Sequence, residues 1–85
     1  MKIFVGNLSF QTMDTELRRL FSEFGEVTSA QIATDNFTRR SRGFGFVEMK
    51  ETEAAMRAIE KLHNSYFMTR KIIVNEGNKP REIVR

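Results

Sequence analysis

One stretch of eight residues constrains this chain more than any other. From Arg42 to Met49 it reads Arg-Gly-Phe-Gly-Phe-Val-Glu-Met. That is a period of two, which an extended strand sorts onto opposite faces and a helix would mix. Gly45, Val47 and Met49 fall on one face; Arg42, Phe44, Phe46 and Glu48 fall on the other. The compact set carries no charge and belongs against a core. A chain of 85 residues supports one core only, burying roughly 60–65% of its unfolded surface. Whatever packs on this strand must therefore come from within a single small domain.

The remaining segments supply partners. Lys2 to Asn7 is short, β-branched and aromatic, and stops at Gly6-Asn7, as a strand does. Thr12 is placed to cap a helix that carries Asp14 and Glu16 in its first turn, where the helix dipole favours acids. Leu17, Leu20, Phe21 and Phe24 then stand at i, i+3, i+4 and i+7, and Gly25 is placed as a left-handed cap. Val27 to Thr34 is strand-like, with Ala30 and Ile32 on one side and Ser29, Gln31 and Ala33 on the other. Asp35 to Ser41 is a polar, basic loop. Thr52 to Leu62 is a second helix with Ala55, Met56, Ile59 and Leu62 on one face, ended by His63-Asn64. Lys71 to Glu76 is the last strand, with Ile72 and Val74 on one face.

The order is β-α-β-β-α-β. Each strand–helix–strand crossover is right-handed, and in the split form of this arrangement the first and third strands lie side by side at the centre of a four-stranded antiparallel sheet. The predicted class is α+β, a ferredoxin-like sandwich with both helices on one sheet face. Residues 1–77 form the domain, and residues 78–85, with Lys79, Pro80, Arg81 and Arg85, form a basic tail. That tail either adds electrostatic affinity across the sheet or packs Ile83-Val84 on the domain.

Several function classes drop out. The chain has no cysteine, so it has no disulfide framework, no thiol nucleophile and no Cys-type zinc site. A single histidine does not assemble a metal site, and His63 reads as a helix-end dipole partner or a solvated side chain. No apolar run approaches the roughly 20 residues of a membrane span, and Met1-Lys2 leads directly into strand-like sequence instead of a signal peptide. Gly43-Phe44-Gly45 lies inside a strand with no G-x-G-x-x-G following it, so it is not a phosphate-binding glycine loop. A net charge of +3 suits nucleic acid without requiring it.

What the second sheet face holds decides the function. In the first strand Ile3 and Val5 share the core face, which sends Phe4 outward with Lys2. Phe4, Phe44 and Phe46 then meet on the uncovered face among Lys2 and Arg42. Leaving a Phe in water forfeits on the order of 1.5–3 kcal/mol. A strand buried on both sides would hide the rings, but charges share their face and no apolar segment is left to cover it. A ligand with flat faces and negative charge accounts for both features.

At these residues the chain resembles the RNA recognition motif family. Ile3-Phe4-Val5-Gly6-Asn7-Leu8 is similar to its six-residue ribonucleoprotein motif, and Arg42 to Met49 to the eight-residue one. The likeness runs over about residues 2 to 76, through Leu17-Arg18-Arg19-Leu20-Phe21, Phe24-Gly25, Ala54-Ala55 and Ala58-Ile59, and a chain this short is also similar to bacterial members. The resemblance implies that Phe4 and Phe46 stack successive bases, that Phe44 packs on the sugars between them, and that Arg42 pairs with a phosphate. It implies peripheral contacts from Lys2, Gln31, Lys71, Ile73 and Asn75. Arg39 and Arg40, abutting the aromatic strand, are expected on phosphates; Glu48 bounds the footprint or accepts from a base amine.

Met49 replaces the motif's final aromatic, on the core side where Met packs adequately. Arg39, Asn64 and Thr69 stand where relatives commonly have Gly, which implies an altered loop at Arg39 and a different turn at Thr69. The Met13, Met49, Met56 and Met68 set reads as core and turn packing.

The expected activity is single-stranded RNA binding by a monomer, with single-stranded DNA an alternative ligand. No catalytic residue, metal, cofactor or membrane contact is expected, and the compartment is cytoplasmic, or nuclear in a eukaryote. Two stacked bases at ~1–3 kcal/mol each with a few screened phosphates suggest micromolar binding, near about −8 kcal/mol. The rival readings are a protein-interaction module using the sheet or the helix face, and an enzyme on the same fold. An acylphosphatase-like reaction needs a basic loop after the first strand, and Leu8-Ser9-Phe10-Gln11 supplies no cation.

Overall fold

The computed structural model describes residues 1–77. In chain order the elements are β1 (Lys2–Gly6), α1 (Asp14–Ser22), β2 (Val27–Thr34), β3 (Ser41–Met49), α2 (Thr52–Leu62), β4 (Tyr66–Phe67), β5 (Arg70–Lys71) and β6 (Ile73–Glu76). Strands β2, β3, β1 and β6 form, in that order, one antiparallel sheet, with β1 and β3 central as expected. Both helices contribute to one core. Ile3, Val5, Val47, Met49 and Val74 from the sheet meet Leu17 and Phe21 of α1 and Ala54, Ala55, Ala58 and Leu62 of α2. The basic tail, residues 78–85, with Ile83 and Val84, lies outside the described residues.

Five local expectations are corrected. Thr12 is not the helix cap. The cap position is Met13, whose N–H donates to the Glu16 carboxylate at 2.9 Å, while Thr12 is buried and its hydroxyl donates to the Met68 sulfur at 3.5 Å. Gly25 is not left-handed. It is needed because α2 comes so close that a Cβ there would lie 2.6 Å from the Ala54 Cβ. The inward face of α2 is built on Ala54, Ala55, Ala58 and Leu62, and Met56 is half exposed; Met13 is exposed as well. Small side chains on that face let the helix sit close to the sheet, and Met56 lies off it.

The last strand is shorter than expected. Lys71 belongs to β5, which pairs with β4 in a separate two-stranded hairpin, and Ile72, between β5 and β6 in the chain, is fully buried in the core, its N–H donating to the Ser65 carbonyl at 2.9 Å. Finally, His63 is neither a dipole partner nor merely solvated: its Nδ1 accepts the Val74 N–H at 3.0 Å, tying the end of α2 to β6.

Candidate nucleic-acid interface

Alternation in β1 and β3 builds the site. The register pairs Phe4 with Phe46 and Lys2 with Glu48 across the central strands, and directly opposed residues of antiparallel strands project to the same face. Phe4, Phe44 and Phe46 therefore gather on the face away from the helices, each partly exposed. Ring centroids lie 5.8 Å apart for Phe4–Phe44, 5.8 Å for Phe4–Phe46 and 6.2 Å for Phe44–Phe46, at interplanar angles of 35°, 64° and 88°. Such tilted and edge-on pairs are the favourable arrangements for aromatic rings. The rings brace one another while leaving surface to a ligand. The Lys2 ammonium stands 4.6 Å from the Phe46 centroid, close enough for a cation–π attraction and available to an incoming anion.

Around this centre, Gln31 lies opposite Phe46 from β2 and Asn75 opposite Phe4 from β6, so both share the ring face. Ile73 lies opposite Gly6 on the same face, 39% exposed. Glu48 is exposed at the Lys2 end, and the Met1 amino group, which donates to the Met49 carbonyl at 2.7 Å, is 3.8 Å from its carboxylate. Lys71 is not brought to the platform: it sits in the β4–β5 hairpin, its carbonyl accepting from the Asn7 amide at 2.7 Å. The same Asn7, at φ 57°, accepts from the Arg70 guanidinium at 2.6 Å and so pins the hairpin to the end of β1.

The arginines of the β2–β3 loop part ways. Arg39 and Arg40 are exposed. Arg39 sits at φ 65°, so the position commonly glycine keeps its left-handed backbone here with a long side chain. It lines a groove beside α1 instead of the ring face. Arg42 is exposed at the start of the aromatic run, next to Gly43, whose φ of 83° interrupts the alternation there. The loop is ordered by Asp35: one carboxylate oxygen accepts the Phe37 N–H at 2.8 Å and the Thr38 N–H at 3.0 Å. These bonds from Thr38 and Phe37, aided by the charge of Arg42, hold the Asp35 carboxyl below its usual pKa against a weaker opposing effect of burial.

Phe10 lies outside the residues to which the strand alternation and the motifs point. It is 74% exposed, and its ring lies against Gly43, where a Cβ would come within 3.0 Å of it. The signal was there to read: an aromatic in a polar loop next to the first ribonucleoprotein-like motif. Among the described residues no group of three His, Cys, Asp or Glu side chains is positioned to hold a metal ion, and no helix is long and apolar enough to cross a membrane.

Comparison with known proteins agrees with this geometry. A profile of the RNA recognition motif matches residues 3–73. RbpE of Nostoc sp. is 46% identical over 82 residues, covering 96% of this chain and 82% of that protein. Glycine-rich RNA-binding protein 8 of Arabidopsis thaliana is 44% identical over 76 residues, 89% of this chain and 45% of that protein. The crystal structure of RNA binding protein PG1 superposes with a TM-score of 0.91 at 48% identity, covering 96% of this chain and 99% of that one. With its two motifs on adjacent central strands, its rings on the open face and a profile match over most of its length, the chain belongs to the RNA recognition motif family.

Proposed function

We propose that the protein binds single-stranded RNA on the open face of its sheet and takes part in post-transcriptional regulation. The observation that carries this is the cluster of three partly exposed rings within about 6 Å of one another, with an ammonium 4.6 Å from one of them. Phe4 and Phe46 each stack a base and Phe44 packs on the sugars between. Lys2, Arg39, Arg40 and Arg42 meet phosphates. Gln31, Asn75 and Ile73 touch base edges or neighbouring nucleotides, and Lys71 acts from the hairpin at the rim. No step breaks a covalent bond, and the protein works as a monomer in the cytoplasm without metal or cofactor. Residues 1–77 are the binding domain and residues 78–85 an appended basic tail. The retained pairing of rings with cations favours nucleic acid over a peptide on the same sheet.

Two stacked bases and a few phosphates give micromolar affinity, falling with salt at about −0.7 in log–log slope per phosphate neutralised. The test is the double variant Phe4→Ala, Phe46→Ala titrated against fluorescent single-stranded RNA by anisotropy, with circular dichroism to verify folding. A folded double variant that binds like the wild type refutes the reading. Selection from random RNA and DNA pools in parallel identifies the preferred sugar and bases.

A further inference from the structure

Beside the aromatic face, between the loop after β1 and the β2–β3 loop, runs a groove of about 580 Å³. Phe10, Met13 and Ile32 supply its apolar lining, Thr34 and Ser41 are among its hydroxyls, and Arg39 adds a cation. Phe10 and Met13 are 74% and 66% exposed, although the backbone around them is ordered. The Leu8 N–H donates to the Gly43 carbonyl at 2.8 Å, and the Thr12 N–H to the Ser9 carbonyl at 3.0 Å. Phe10 is thus more exposed than any of the three sheet rings, on a loop whose backbone is tied to β3.

Two further features say what the groove takes. The first is continuity. Phe10 rests on Gly43, the residue directly before Phe44, and Ser41 opens the same strand, so the groove begins one residue away from the aromatic run. The second is charge. Arg39 stands in its wall, with Arg40 and Arg42 close by in the chain; of the acids, Asp14 lines the groove and accepts the Ile32 N–H at 2.8 Å, and Asp35 in the same loop accepts the Phe37 and Thr38 N–H groups. We propose that the groove is a further nucleotide subsite, in which a base of the bound RNA stacks on Phe10 and its phosphate meets Arg39. The inference rests on RNA binding by the sheet and extends the footprint past β3 onto the side of the domain that carries α1.

The experiment compares randomised four- and eight-nucleotide fluorescent RNAs by anisotropy. Phe10→Ala should weaken binding of the longer RNA about tenfold, the low end for one base–aromatic stack, and leave the shorter one within twofold. Phe10→Trp should restore the affinity. Arg39→Gln should reduce the salt slope for the longer RNA by about 0.7. If Phe10→Ala binds the longer RNA like the wild type, or loses both lengths equally, the subsite is wrong while the sheet reading stands. A wild-type protein that binds neither length overturns both. Phe10 is exposed, so loss of folding is not expected, and a thermal melt of each variant verifies it.

Discussion

Strands β1 and β3 do two different jobs with alternate residues. On one side Ile3, Val5, Val47 and Met49 are at most 1% exposed; one residue away, Phe4, Phe44 and Phe46 are only partly covered. The two faces share a backbone, a register and a set of hydrogen bonds, and differ only in what lies above them. Helices close the first face and leave the second open. The contrast teaches that core packing and the proposed ligand contacts share the same strands yet are separable: the parity of a position decides whether its side chain is buried or left open.

Adjacent residues give the sharpest attempt to break that separation, and the largest effect. Ile3→Ala should cost about 2–5 kcal/mol of stability, the usual range for a fully buried aliphatic truncation. Phe4→Ala, one residue on, should cost about 1 kcal/mol, because its ring is already partly in water. Urea denaturation of the two variants measures both, and equal losses would mean that the open face is structurally part of the core. The complementary measurement is RNA titration of Phe46→Ala, where affinity should fall by about 1–3 kcal/mol with a cooperative unfolding transition retained.

A third variant changes stability away from both faces. Thr69 holds φ 70°, a left-handed backbone that a β-branched residue occupies at a cost. Thr69→Gly should raise stability by about 1 kcal/mol, read as a higher melting temperature, and leave RNA affinity unchanged. The smallest effect concerns the loop that flanks the open face. The Asp35 carboxyl has a lowered pKa in the folded protein, so its contribution is present above the ordinary carboxylate pKa and is lost as pH falls through the lowered value. The Phe37 and Thr38 amide signals should shift over that acid range in NMR spectra, and Asp35→Asn should abolish the shift.

The elements with strong periodicity were legible in the sequence. The second helix, Thr52 to Leu62, has the predicted bounds, and alternation alone put the three rings on one face. What escaped reading depended on distant partners. Thr12 has the right chemistry for a cap, but burial beneath Met68 takes its hydroxyl elsewhere. Gly25 answers to a helix that arrives some 30 positions later in the chain. The β4–β5 hairpin is two residues per strand, too short for any period to register. Arg39 and Thr69 depart from glycine in residue type only, since both keep the positive φ that glycine would have. At the site, parity predicted the ring face well, but it says nothing of side chains that loops swing to the edge, as Arg39 and Phe10 illustrate.

The mutual tilt of the rings has a consequence for the shape of the RNA. In a double helix successive bases are nearly parallel and in stacking contact, whereas Phe4 and Phe46 are inclined at 64° with centroids 5.8 Å apart. Bases seated on both must splay and turn relative to each other, a conformation from which neither can face a complementary strand. On the proposed stacking, occupancy of the protein and pairing of those two bases exclude each other, and binding would favour the melted form of a hairpin that contains them.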